Sequence, residues 1–291
     1  MAKINKYGVS DLRKDFPSDE KVLEFIFDTR HSRTCSCGGR YMPKKGRRQF
    51  QCSKCVFQIA PTAGTIFHKS DTPLTLWFEA IFRFSNAKSG YSAKQLERDL
   101  NVTYKTAWRM LSLIRKALPQ SKDFLGGIVE MDEAYFGGKG IGGKDNVNQS
   151  ENIRNKSVVI AAVERGGKIR AKVSPDATAR SIWRFLEGNV NPITTRLLTD
   201  GSNRYGNAAK KYQRESVNHG RKEFVRGDVH INRVEAFWAH VKRSVSGTHK
   251  VISRKHLQSY LDAFAFHYNN RRNDRERFSS LLGALLPASR S

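Results

Sequence analysis

The sequence predicts an α/β protein, a mixed sheet with flanking helices, preceded by a small cysteine-bearing module and a helical segment. Three observations predict it. All four cysteines fall between residues 35 and 55. Residues 72–118 carry apolar side chains at helical spacing. From residue 126 onward, short apolar runs bounded by glycine alternate with helical stretches, which is how a sheet with covering helices reads. The expected division is an N-terminal helical segment (1–30), the cysteine module (31–62), a helical region (63–120), the sheet domain (125–275) and a C-terminal tail (276–291).

Composition bounds the partners. The chain has 291 residues, 38% of them hydrophobic, enough for a real core. Lys and Arg number 52 against 27 Asp and Glu, a formal net charge of +25 spread along the chain. An excess of that size implies a polyanionic partner, most simply nucleic acid. No apolar run reaches the ~18 residues a membrane span needs. The opening "MAKINKYGVSDLRKDF" lacks the apolar region of a secretory signal. A reducing, cytoplasmic and nucleoid-associated location is therefore expected, where clustered cysteines seldom mean disulfides.

The cysteines read Cys35-x-Cys37 and, fourteen residues on, Cys52-x-x-Cys55. Two knuckles around a short hairpin suit tetrahedral Zn²⁺, and the intervening "GGRYMPKKGRRQFQ" reads as strand, basic turn, strand. A metal would replace a core that so small a module cannot build. This predicts a zinc ribbon, against a redox pair or chance clustering. The first knuckle is one residue shorter than C-x-x-C, which makes His31 a replacement ligand to consider.

In the helical region Thr72 is the expected N-cap, with Pro73 at the first helical position. The helix that follows should bury Leu74, Trp77, Phe78 and Ile81. After "NAKSGYS" a short helix (93–100) ends at "NV". Thr103 caps a longer one whose buried stripe is Ala107, Leu111, Ile114 and Leu118. The pair reads as a helix-turn-helix with Tyr104, Lys105 and Arg109 on the exposed, DNA-facing side, or else as an ordinary helical hairpin.

The sheet opens with "GGIVEMDEAYFGG" (126–138), which sets Glu130 and Asp132 on one face and Val129 and Met131 on the other. "SVVIAAVE" (157–164) turns through "RGG" into "KIRAKV" (168–173). A helix over 179–188 and a short strand "RLLTDG" (196–201), with Asp200 at its end, follow. The segment 137–155 reads as a loop; within it "GKGIGGKD" imitates a phosphate-binding loop but places Asp145 where a hydroxyl residue belongs. The stretch "DVHINRVEAFWAHVKRS" (228–244) reads as a helix with two faces. Val234, Phe237, Trp238 and Val241 form an apolar stripe, while Asn232, Glu235, Ala239 and Lys242 recur on another side.

Strand, strand, strand, helix, strand and a later helix is the order of a ribonuclease-H-like fold. In that order Asp132, Asp200 and Glu235 can converge. Three converging carboxylates repel unless hard divalent cations hold them together. Two such ions about 3.5–4 Å apart activate a water or a 3′-hydroxyl and stabilise the leaving oxygen at a phosphodiester. Asp200 and Glu235 are separated by 34 residues, and Lys242 follows Glu235 by seven.

The stretches "MDEAYFGGK", "LLTDGSNRYG" and "HINRVEAFWAHVKRSVSGTHKVISRKHLQSYLDAFAFHYNNRR", with the cysteine window and "TPLTLWFEAIF", resemble a bacterial insertion-sequence transposase of the DDE class. The resemblance is to the zinc-ribbon ISXO-type group, related to the Merlin elements, and covers roughly residues 20–275. It implies a DNA transposase that binds the terminal inverted repeats of its element, nicks their 3′ ends with Mg²⁺ or Mn²⁺, and joins them to target DNA. Asp132, Asp200 and Glu235 become the metal-binding triad, with Lys242 a basic DNA contact after it. Family descriptions sometimes put Asn at the third position. Asn232 lies one turn before Glu235, which ranks first because a charged carboxylate is the better ligand. A homodimer or larger synaptic complex, holding two ends, is expected from the family. The competing readings are a DNA-binding regulator with an inactive ribonuclease-H-like domain and a structure-selective nuclease of that fold.

Overall fold

The computed structural model describes residues 7–118, 123–137, 156–272 and 276–287. The loop 138–155, with its imitation of a phosphate-binding motif, lies outside them. The chain forms two compact units, residues 120–271 and the remainder on either side.

The N-terminal unit begins with α1 (Val9–Asp15) and α2 (Asp19–Arg30). The cysteine module follows as a small antiparallel sheet of β1 (Tyr41–Pro43), β2 (Phe50–Cys52) and β3 (Gln58–Ile59), one strand more than the sequence suggests. Phe50 stacks on Phe27 of α2 with ring centroids 4.0 Å apart, so the module shares an aromatic core with the helices. Next come α3 (Leu74–Asn86), α4 (Ala93–Leu100) and α5 (Tyr104–Lys116). Leu74, Trp77, Phe78 and Ile81 are buried, as are Ala107, Leu111, Ile114 and Leu118.

One start signal differs from expectation. Pro73, not Thr72, occupies the N-cap of α3. The cap is supplied from afar: Asp19 of α2 accepts from the Thr75 amide and hydroxyl, both at 3.0 Å. The Thr72 carbonyl instead accepts from Arg48 at 3.1 Å. A local pattern cannot reveal a cap contributed by a residue 56 positions away. Thr103 does cap α5 from its own side chain, and Asn101 takes the left-handed conformation that closes α4.

The second unit is built on β4 (Leu125–Phe136), β5 (Ser157–Glu164) and β6 (Ile169–Ser174), then α6 (Ala179–Asn189), β7 (Val190–Asp200) and β8 (Gln213–Val217). The sheet order is β6-β5-β4-β7-β8. The first three strands are antiparallel neighbours; β7 runs parallel to β4 and β8 parallel to β7. This is a mixed sheet. β7 starts at once after α6, earlier than expected, and β8 is an unpredicted fifth strand.

Two apolar clusters cover the sheet. Val129 and Met131 join Ile182, Phe185 and Leu186 of α6 on one face. Ala134 and Phe136 join the helices that follow, α7 (Asn232–Ser244) and α8 (Leu257–Asn269), on the other. The expected two-faced helix therefore exists, beginning at Asn232 rather than 228, with Val234, Phe237, Trp238 and Val241 all buried.

The chain then returns to the first unit. Residues 276–291 were expected as a tail, but α9 (Glu276–Leu285) packs on α3. Its Phe278 meets Phe82 at 5.5 Å and Phe78 at 6.4 Å, and the buried Arg277 donates to the Ser85 carbonyl at 3.1 Å. Phe278, Leu281, Leu282 and Leu285 form a full apolar stripe, but at ten residues it is too short to stand out. Among the described residues no helix is long and apolar enough to cross a membrane.

Glu130, fully buried in β4, fixes how α7 docks. It accepts from the Arg233 amide at 2.6 Å and the Val234 amide at 3.3 Å, two otherwise orphan donors of the first turn. Its other oxygen pairs with Arg165 at 2.6 Å, and Arg165 also donates to the His230 carbonyl at 2.9 Å. Removing one partner of a buried pair strands the other charge. Glu130→Ala should therefore cost about 3–5 kcal/mol in denaturant unfolding. Glu130→Gln, which keeps an acceptor for the helix amides, should cost clearly less.

Candidate functional site

Asp132 lies two residues beyond Glu130 and so shares its face of β4. Between Leu125↔Val190 and Gly127↔Thr195 the register advances β7 by three residues, and it then holds through Glu130↔Leu198. Carried two residues further, this register brings Asp132 level with Asp200, the last residue of β7. Glu235 stands in the first turn of α7, the turn that Glu130 anchors. α7 runs in the same direction as β4: Glu130 meets Arg233, and Phe136 meets Trp238 at 5.8 Å. Strand register and helix docking thus aim three carboxylates at one end of the sheet.

The electrostatics record that convergence. Burial first, then the charge of Glu133, with Asp200 and Glu235 adding to both, push the Asp132 carboxyl up to about 7; a backbone hydrogen bond from Glu133 opposes them. A carboxylate so destabilised as an anion is one that a hard divalent cation would relieve, although among the described residues only the four cysteines lie close enough together to form a metal-holding group. Asp200 accepts from the Ser202 amide at 3.0 Å, which orients it at the strand end. Asn232 is the first residue of α7, one turn before Glu235, and both are exposed. Lys242 lies two turns beyond Glu235 on an exposed position of the same helix.

Glu133 is a residue the sequence reading passes over. It points to the opposite face from Asp132, where the Tyr205 hydroxyl donates to it and Arg204 lies 3.7 Å away. Burial raises its carboxyl, and Asp200 adds to the rise against the pull of Tyr205 and Arg204. "MDE" hints at an acidic doublet, but its partners lie 71 and 72 positions on, across a strand pairing the local pattern does not show.

The four cysteines form the second candidate centre. All are free thiols, and their sulfurs all lie within 4.8 Å of one another. Cys35 Sγ is 3.6 Å from Cys55 Sγ, and Cys37 Sγ is 3.5 Å from Cys52 Sγ. Four thiolates about 2.3 Å from one Zn²⁺ would stand about 3.8 Å apart, so the donor set fits a tetrahedral ion. The shortened first knuckle closes in a tight turn, Gly38 N–H to Cys35 carbonyl at 2.8 Å with Gly38 at φ 76°. A hydrogen bond from the Tyr41 hydroxyl leads the causes that hold the Cys35 thiol down to about 6, favouring thiolate. His31 stands outside this group; its ring lies 5.3 Å from that of Phe27.

On α5, Tyr104, Lys105 and Arg109 are exposed together, and Trp108, 39% exposed, lies on the same side. An aromatic residue in a helix is usually core, so nothing in the sequence singles Trp108 out.

The chain was also compared with known proteins. Residues 124–269 match the family model described as the ISXO2-like transposase domain. A Halobacterium salinarum protein, described as an uncharacterized protein in transposable element ISH50, is 28% identical over 271 residues, covering 86% of this chain and 91% of that one. Among solved structures, a simian T-cell lymphotropic virus intasome in complex with a PP2A regulatory subunit is 11% identical with a TM-score of 0.30. It covers 64% of this chain, which in turn spans 65% of that one. A pre-cleavage Mos1 transpososome is 11% identical with a TM-score of 0.27, covering 72% of this chain and 75% of that one. With the sheet unit matched almost end to end, over half of the whole sequence, the chain belongs to the ISXO2-like transposase family.

Proposed function

We propose that this transposase binds the terminal inverted repeats of its element, nicks their 3′ ends in a metal-dependent step and joins them to target DNA. The observation that carries the reading is the carboxylate cluster, in which Asp200 and Glu235 bear on a destabilised Asp132. The strand order, with three antiparallel strands followed by two parallel ones, supports a ribonuclease-H-like fold for the unit that holds it.

Asp132, Asp200 and Glu235 would hold two Mg²⁺ or Mn²⁺ ions, which supply an activated water or 3′-hydroxyl and stabilise the leaving oxygen. Glu130 positions Glu235 by fixing the first turn of α7. Lys242 engages a phosphate of the cut strand. Glu235, rather than Asn232, is the third ligand, because a carboxylate brings charge as well as lone pairs. The zinc ribbon and the α4–α5 helix-turn-helix read the ends, with Tyr104, Lys105 and Arg109 toward the DNA. The 125–275 region is the catalytic domain. Two ends held together call for a homodimer or larger synaptic complex. A DNA partner also suits a cytoplasmic, nucleoid-associated protein.

The test is incubation with the DNA flanking its gene plus Mg²⁺, mapping 3′ nicks. Asp132→Asn, Asp200→Asn and Glu235→Gln should each lower the cleavage rate by about a thousandfold or more while end binding persists. Asn232→Ala should slow it by only about tenfold, as loss of an outer contact does. Rapid cutting by Glu235→Gln with a dead Asn232→Ala would move the third ligand to the earlier turn. Binding without any cutting would favour the regulator, and cutting set by DNA shape the nuclease.

For end recognition the full chain is required, since α9 belongs to the N-terminal unit. Arg109→Ala should cost about 1–3 kcal/mol against the cognate end and relax its preference. Lys105→Ala should weaken all sequences alike and reduce the salt slope by about one. Undiminished preference in Arg109→Ala together with undiminished affinity in Lys105→Ala would remove α5 from the reading surface.

Zinc has its own test. Protein purified without chelator should carry about one Zn²⁺ per chain, and Cys52→Ser should lose it along with hydrogen-exchange protection of β1 and β2. A metal-free but protected module would rule out the structural role.

A further inference from the structure

Beyond the carboxylates, β4 and α7 continue side by side into a cavity of about 330 Å³. Its walls are apolar, from Phe136, Ile252 and Leu257, and its rim carries Lys242 and Lys250. Among the described residues no Asp or Glu lines it. Two features of the backbone build the site. After α7 the chain makes a π-helical turn, Val245–His249, a form that costs hydrogen-bond geometry and recurs where function needs it. The turn ends on Lys250, held at φ 63° and ψ −60°, a conformation that side-chain-bearing residues rarely adopt.

The cavity's chemistry specifies its ligand. An apolar slot wants a flat or hydrophobic group, two lysines at the rim want an anion beside it, and no acidic side chain among the described lining residues opposes that anion. One nucleotide unit of a DNA strand, base inside and phosphate at the rim, meets all three demands. The distance also suits a strand lying across the carboxylates. Phe136 is four residues past Asp132 along β4, about 13 Å. Lys242 is seven residues past Glu235 along α7, about 10 Å. Each span is three to four base steps at about 3.4 Å.

We infer that this cavity takes an unstacked nucleobase from the DNA strand presented to the carboxylates, with Lys242 and Lys250 on its flanking phosphates. The inference rests on the reading that the chain acts on DNA, but its test does not require cleavage. The probes are an eight-nucleotide oligothymidylate and its abasic counterpart, which has the same phosphates and no bases. Binding to the full chain is followed by fluorescence anisotropy at low salt.

The wild-type protein should prefer the thymidylate by about tenfold, the scale of one buried base. Ser246→Leu fills the cavity from an exposed rim position, and Val251→Glu sets a carboxylate at a rim residue that is 77% exposed. Both variants should fold, with melting temperatures near wild type, and both should lose the base preference. Retained preference in the two variants would overturn the site. So would a wild type indifferent to bases, or a Ser246→Leu chain that loses affinity for both oligomers equally, since plain phosphate contact would then explain the lysines. A chain that passes this test but never nicks element DNA would sink the transposition chemistry and leave the pocket standing.

Discussion

The unit carrying the acidic site is organised around one buried charge. Glu130 has no exposed surface, so its carboxylate would be untenable without compensation. Arg165 supplies the countercharge, and the first amides of α7 supply both hydrogen bonds and the positive end of a helix dipole. That need makes the contact a constraint rather than a preference: α7 can start in only one place relative to β4. Everything downstream inherits the alignment. Asp132 is two residues along the strand and Glu235 is in the helix turn that Glu130 holds, so their proximity follows from a contact that neither makes.

β4 divides its labour by parity. Its odd positions 129, 131 and 133 face α6 and Tyr205, and its even positions 130 to 136 face α7. One strand therefore packs two cores and still presents a carboxylate. The cost appears in the electrostatics. A chain of formal charge +25 concentrates Asp132, Glu133, Asp200 and Glu235 at one end of this sheet. The long-range field gathers polyanions, while the local field at the site repels them.

Much of this was legible in the sequence, and the gaps have physical causes. The stripe of α7, the buried positions of α3 and α5 and the two faces of β4 are local periodicities, and they appear where the pattern places them. Asp132 and Asp200 could be expected at neighbouring strands from element order, but the three-residue register advance that levels them belongs to the pairing alone. The distant cap from Asp19, the role of Glu130 and the Tyr205 contact to Glu133 join residues 56 to 104 positions apart, beyond any window of the sequence. β8 stayed hidden because its "QRESV" is largely polar and lies at the sheet edge with modest burial.

The return of the chain through α9 gives the molecule an unusual covalent layout. The sheet unit is inserted within the helical one, which owns residues on both sides of it. A single backbone nick at either crossing would leave the two units still joined through the other strand of connection; only a double cut would release the insert. In evolutionary terms such an insert can be exchanged as a cassette between two points of its host. The host, by contrast, cannot be trimmed to its first 120 residues without losing a helix of its own core.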